Sequence, residues 1–256
     1  MNEIIYGPVA SWRLGRSLGV DLISQEGKTC SFDCIYCQLG KTKAFASGRS
    51  EYISIDTLAR ELISVKGIAA DFVTFSGTGE PTLASNLGDA IQLVRDTLDL
   101  PVAILTNSSL ISLDDVRRDL SRADVVVAKM DAPDEHTFQM VNRPVEGIRL
   151  NGIIEGIKKF RSRFSGRLAL QMMFMEENYV RVSDMAELAA AISPNEVQVN
   201  TPTRPCAVRP LAEDTMISIK SKFKELGDRV VMVYESQKPA VEPVNMEQTL
   251  RRRPQL

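Results

Sequence analysis

A regular alternation of short apolar runs with amphipathic patterns restricts this chain more than any other feature. Strand-like runs read at 18–23, 71–76, 101–106, 123–128, 167–174 and 196–200. Helical patterns read at 56–66, 87–98, 113–120, 147–164 and 182–192, then a last helix over 214–226 and a last strand over 229–234. The first helix shows the logic: Leu58, Leu62 and Val65 recur at helical spacing, with Ser54 or Asp56 available as a cap. Strands that alternate with helices imply parallel βαβ units and an α/β fold. Six such strands precede the last helix and strand.

With 256 residues at 44% hydrophobic, the chain can bury one large core. We expect a main body over 1–235, with a short lead-in over 1–17, and a C-terminal tail over 236–256. The net charge of −2 gives no global pull toward nucleic acid or membrane. The N-terminal residues lack the charged-then-apolar order of a signal peptide, and no apolar run approaches a membrane span. The expected compartment is therefore the reducing cytoplasm, without membrane association.

Three of the four cysteines fall in one loop, Cys30-Ser-Phe-Asp-Cys34-Ile-Tyr-Cys37, directly after the first apolar run. Three thiolates spaced C-x3-C-x2-C can hold three irons of a [4Fe–4S] cube and leave the fourth iron open to a ligand. Structural zinc ordinarily takes four Cys or His ligands, and the remaining candidates, Cys206 and His136, stand in no paired arrangement. A disulfide framework does not suit four cysteines in a long chain without a secretory segment.

One βα unit later, the run Asp71-Phe-Val-Thr-Phe-Ser76 ends in Gly77-Thr78-Gly79-Glu80. Glycines after a strand let backbone approach a ligand closely, and Glu80 adds a carboxylate. Taken by themselves, such glycines more often mark only a tight turn. Later strands end in polar residues too: Thr106-Asn107-Ser108, Lys129-Met130-Asp131, and Asn200-Thr201-Pro202-Thr203-Arg204. A polar cofactor needs such a cluster, although solvent at strand ends also favours it.

The cysteine spacing with Tyr36 before the last cysteine, followed by Gly77 to Glu80, resembles the signature of radical S-adenosylmethionine (SAM) enzymes. The resemblance implies a partial (β/α)6 TIM-like barrel, with its site at the C-terminal strand ends. It implies a [4Fe–4S] cluster on Cys30, Cys34 and Cys37, and SAM bound at Tyr36, Gly77, Thr78, Gly79, Glu80, Asn107 and Lys129. In glycyl-radical-activating relatives a strand-end Lys neutralises the SAM carboxylate, a role that falls here on Lys129. Asn107 resembles a Thr-Asn-Gly element, with Ser108 in place of the glycine. The implied chemistry is oxygen-sensitive and of oxidoreductase or lyase type. SAM is cleaved to methionine and a 5′-deoxyadenosyl radical that takes hydrogen from a substrate the sequence does not name.

Gly7 to Val20, Thr74 to Thr82, Val141-Asn-Arg-Pro and Asn200-Thr-Pro-Thr-Arg-Pro together resemble the wyosine-synthase-like, activase-like Fe–S oxidoreductases of that superfamily. Members often continue past an Arg-Arg-Arg-Pro-like segment into a small winged-helix-like domain, which is expected to be absent or truncated here. The substrate stays open between small molecule, protein and tRNA. A tRNA-modifying enzyme needs a basic surface, for which Arg251-Arg-Arg253 is the compact run. An electron donor such as flavodoxin or ferredoxin is implied. The rival class is a non-radical Fe–S binding or electron-transfer protein, for which an open iron is a poor design. Arg13, Arg16, Arg143 and Arg204 are candidates for an anionic substrate, and ordinary surface charge explains each nearly as well. Cys206 reads as an inert loop thiol, and Met172, Met173 and Met175 read as barrel core. His136, at a helix start, carries no assigned role.

Overall fold

The central strands of the sheet bury both faces, and each face meets something different. The computed structural model describes residues 4–254 apart from 236 and 238. Ten strands are present among them: β1 (Ile5–Ser11), β2 (Gly15–Val20), β3 (Thr29–Cys30), β4 (Ala44–Phe45), β5 (Phe72–Phe75), β6 (Val102–Thr106), β7 (Val125–Lys129), β8 (Arg167–Met173), β9 (Glu196–Asn200) and β10 (Val230–Met232). The helices are α1 (Ile55–Ser64), α2 (Leu87–Leu98), α3 (Asp114–Leu120), α4 (Glu135–Asn142), α5 (Leu150–Arg161), α6 (Val182–Ile192), α7 (Glu213–Ser221) and α8 (Met246–Arg252).

Eight strands form one sheet in the order β1-β2-β5-β6-β7-β8-β9-β10. From β2 onward every pairing is parallel, so each helical crossover lays the next strand beside the last. The result is an open half-barrel of the expected partial-TIM class. Ile104, Val126, Leu168, Leu170, Val197 and Val199 belong to the large core with the helices. The alternate positions Ala103, Val125, Val127 and Ala169 join Leu14 in a small cluster of their own. That division follows the strand period of two. Toward the C-terminal strand ends this inner face turns polar, with Gln171 paired in register to Gln198.

Two segments differ from the sequence reading. The lead-in is a strand: β1 pairs antiparallel with β2 and carries buried Tyr6 over Gly19, where a Cβ would lie 2.1 Å from the Tyr6 ring. Residues 1–3 of the expected lead-in lie outside the described residues. The segment expected as a tail, of which 236, 238, 255 and 256 are outside the described residues, forms α8 on the edge strand. Gly7 N donates to Thr249 Oγ1 at 3.0 Å and Val244 N to Gly7 O at 2.7 Å. The last predicted helix is also shorter. After α7 the chain continues in 3₁₀ turns to Arg229, interrupted at Gly227, where φ is +55°.

Candidate cofactor site at the strand ends

The cysteine loop leaves β3 and is fixed from two sides by backbone bonds. Thr29 N donates to Thr78 O and Glu80 N to Thr29 O, which ties the root of the loop to the Gly77–Glu80 turn. Asp33 N donates to Asn142 O and Ile35 N to Val141 O, which ties its middle to the end of α4. Ser54, one of the two expected residues, caps α1 through Thr57 N.

Cys30, Cys34 and Cys37 line one cavity together with Gly77, Gly79, Glu80, Asn107, Tyr36 and Lys129. All three thiols are free. Asn107 Nδ2 lies 3.5 Å from Cys30 Sγ and donates to Ser31 Oγ at 2.9 Å. Asn142 Nδ2 lies 3.5 Å from Cys34 Sγ. Burial, against the opposing pull of Lys28, pushes the Cys30 thiol up to about 12. Burial and the Asp131 carboxylate raise Cys34 as well. Lys28 is raised despite its own burial, because the sulfurs of Cys37, Cys30 and Cys34 surround it.

Behind the thiols stands a buried polar knot. The Tyr36 hydroxyl donates to Asp131 Oδ2, which also accepts from Asn142 Nδ2 at 2.9 Å. Asp131 Oδ1 accepts from Met173 N at 2.9 Å. Lys129 Nζ sits 4.6 Å from the centre of the Tyr36 ring and 3.9 Å from Asp131. Lys129 therefore reaches the cavity from a position fixed by Tyr36 and Asp131. Burial, then Asp131 and Cys34, hold the Tyr36 phenol well above its ordinary range.

The glycine turn is a close-packed hinge. A Cβ at Gly79 would lie 1.9 Å from Thr29 O, and one at Gly77 2.2 Å from Asp21 Cγ. Thr78 donates to Asp21 Oδ2 through both its backbone N, at 3.0 Å, and its hydroxyl, at 2.8 Å. Glu80 is fully engaged: Oε1 accepts from Thr82 N, Thr82 Oγ1 and Thr106 Oγ1, and Oε2 from Asn107 N. Burial raises its pKa against those four bonds. Asp21, Asp131 and Asn142 anchor the site without having stood out in the sequence. Asp131 was visible only as a polar strand end, and Asn142 only inside the Val141-Asn-Arg-Pro stretch.

The donor set suits an iron–sulfur cluster better than a single ion. Among the described residues no three Cys, His, Asp or Glu side chains converge on one ion position. A cubane spreads three thiolates over three irons, and soft sulfur donors select iron–sulfur chemistry. Cys206 is not in the cavity that all three cysteines share. Its Sγ donates to Val208 O at 3.2 Å, and it lines a second hollow together with Cys34, Cys37 and Arg143.

The radical SAM superfamily model matches residues 27–189, which contain the cysteine loop, the glycine turn, Asn107 and Lys129. This chain belongs to the radical SAM superfamily. It is 41% identical over 202 residues to a UPF0026 protein of Synechocystis, covering 78% of this chain and 76% of that one. It is 36% identical over 236 residues to a UPF0026 protein of Methanocaldococcus jannaschii, covering 87% and 72%. The fold matches that of Streptococcus suis SuiB bound to precursor peptide SuiA, with a TM-score of 0.65 at 13% identity. The match covers 86% of this chain but about half of SuiB, at 49%. SuiB is also known bound to S-adenosylmethionine, and that structure superposes with a TM-score of 0.62. In this radical SAM chain no helix among the described residues is long and apolar enough to cross a membrane.

Proposed function

We propose that this chain is a radical SAM enzyme whose cluster binds at Cys30, Cys34 and Cys37 and whose SAM site is the adjoining cavity. One observation carries the reading: the three thiols face the same cavity as the Gly77–Glu80 turn, Asn107 and Lys129. Bound there, a [4Fe–4S] cluster would supply the electron that cleaves SAM to methionine and a 5′-deoxyadenosyl radical. The residues supply position and shelter. Gly77 and Gly79 keep backbone exposed to the ligand, because no side chain fits there. Glu80 orients Asn107 through its backbone, and Asn107 in turn steadies Cys30. Lys129, held by Tyr36 and Asp131, presents a cation to the SAM carboxylate. Burial holds the Cys30 thiol up at about 12, so that thiol stays protonated in the bare protein and must lose its proton to bind iron.

A plain electron carrier would have no use for a walled cavity beside its cluster. Among substrates, the basic run offers little to tRNA. Arg252 is fully buried, Arg251 Nη2 donates to Gln25 O, and Arg253 lines the cavity. A small-molecule or protein substrate therefore suits the chain better, with flavodoxin or ferredoxin as reductant. The test is anaerobic reconstitution with iron and sulfide, reduction, addition of SAM and quantification of 5′-deoxyadenosine. Formation should vanish in Cys34→Ala. A fully formed cluster that neither binds nor cleaves SAM would overturn the reading.

A further inference from the structure

Three guanidinium groups from distant parts of the chain meet on the cavity wall. Arg13 comes from the β1–β2 turn, Arg204 from the segment after β9, and Arg253 from the end of α8. None has an acidic ion-pair partner among the described residues. Arg13 Nε and Nη1 and Arg253 Nε are buried and make no hydrogen bond. Arg13 lies 4.9 Å over the Trp12 ring, and Arg204 Nη1 donates to the neutral Oε1 of Gln38 at 2.8 Å. Glu196, the carboxylate that acts on Arg13, is 3.5 Å from Arg167 and accepts from Gln198 as well. By contrast, Arg16 is paired at the surface with Asp71 at 2.7 Å.

The three residues are half-buried, and cations partly withdrawn from water without counter-charges are costly, so proteins ordinarily pair them. The cost is visible here. Burial, then Arg253 and Arg204, push Arg13 down to about 9, and burial with Arg253 pushes Arg204 down to about 10. Among the described residues no carboxylate forms an ion pair with these three guanidinium groups, and Glu196 is already engaged by Arg167, which leaves their charge to be met by a ligand. The thiols are served by other cations: Lys28 acts on Cys30, and Lys129 on Cys34. A single SAM carboxylate would also leave most of three guanidinium forks unused. A phosphoryl group carries up to two charges and three acceptor oxygens, which suits converging bidentate donors.

We propose that Arg13, Arg204 and Arg253 form the subsite for a phosphate group of the substrate, a small phosphorylated molecule held beside the SAM site. The proposal rests on the radical SAM reading for the word substrate, but the anion site stands on the arginines alone.

The test uses the reconstituted full chain, with inorganic pyrophosphate and phosphate as probes and calorimetry and thermal melting as readouts. Saturable binding that raises the melting temperature is expected. Arg13→Gln and Arg204→Gln should each weaken pyrophosphate at least about tenfold, as loss of one charged hydrogen-bonding partner does. Arg16→Gln should bind as wild type does. Without ligand, Arg13→Gln should melt above wild type, because an uncompensated charge is gone. Arg204→Lys should keep more affinity than Arg204→Gln, and equal loss in both would point to misfolding and overturn the proposal. So would no binding of either probe, or equal binding by the Gln variants. SAM affinity that falls in Arg13→Gln as far as pyrophosphate affinity would assign the arginines to the cofactor, and would also overturn it. A chain that binds pyrophosphate through these arginines yet never cleaves SAM keeps the subsite and loses the radical reading. A chain that cleaves SAM and ignores pyrophosphate does the reverse.

Discussion

Arg252 Nε donates to Asp21 Oδ2 at 2.8 Å, joining the last helix to the first turn after β2 in a buried ion pair. Asp21 also receives Thr78, so the pair links α8 to the glycine turn on the cavity wall. Arg252 completes the link through Ser24 Oγ at 2.9 Å and stands 5.1 Å over the Tyr6 ring. The C-terminal helix thus braces the cofactor cavity from outside while its neighbour Arg253 enters it.

Breaking this pair should be expensive. Removing one partner of a buried ion pair typically costs about 3–5 kcal/mol, because the other charge is left unpaired. Arg252→Met is expected to lower the unfolding free energy by that order in urea titrations, and to weaken SAM binding through the displaced Thr78. A loss below about 1 kcal/mol, the range of exposed pairs, would mean that Asp21 finds solvent when Arg252 is gone.

The glycine turn permits no side chain. Gly79→Ala would drive a Cβ to 1.9 Å from Thr29 O, and backbone cannot yield as a flexible side chain does. We expect a loss of about 1–3 kcal/mol from overpacking, and loss of SAM binding as the cysteine loop shifts with Thr29. Gly152→Ala, in α5 with nothing within 4 Å, should instead stabilise by about 0.4–1 kcal/mol. Parallel denaturation curves and SAM titrations check both.

Tyr36→Phe isolates the polar knot. The variant removes the hydroxyl donor to Asp131 and leaves a buried carboxylate with Asn142 and Met173 N. Hydrogen bonds to charged groups contribute about 1.5–3 kcal/mol, and a loss of that order is expected. Lys129 should then turn further toward Asp131, so SAM affinity should fall while iron content after reconstitution is retained. Iron loss in step with stability would place the hydroxyl in loop folding instead.

Much of this was legible in advance because its signals are local. Strands such as Val125–Lys129 read as unbroken apolar runs since both faces are buried, one against helices and one against Leu14 and its neighbours. The cysteine spacing and the Gly77–Glu80 turn each occupy a few consecutive residues. What sequence reading missed depends on contacts between remote positions. β1 looks like a lead-in because Gly7 and Pro8 interrupt its pattern, and its partner Thr249 in α8 lies over 230 residues away. Asp21 is one acid in an apolar run until Arg252 arrives. Arg13, Arg204 and Arg253 gain meaning only where three elements converge, whereas Arg16, equally prominent in sequence, turns to Asp71.

The last expectation concerns acid. Asp134 caps α4, the helix whose end holds Asp33 and Ile35 of the cysteine loop. Burial alone would raise its carboxyl. The Thr137 amide at 2.8 Å and hydroxyl at 3.1 Å, with Arg181 and His136, outweigh that and hold it below the ordinary range. A carboxylate with a depressed folded pKa contributes stability above its unfolded value, near about 4, and loses that contribution as pH falls through the folded value. Asp134→Ala should therefore cost about 0.5–2 kcal/mol at pH 7, the usual worth of a cap, and progressively less below about pH 4. Asp134→Asn, which can still accept from Thr137 N, should sit nearer wild type at pH 7. Urea titrations at both pH values check the sign. A deficit in Asp134→Ala that persists undiminished in acid would show that the side chain acts by packing and not by charge.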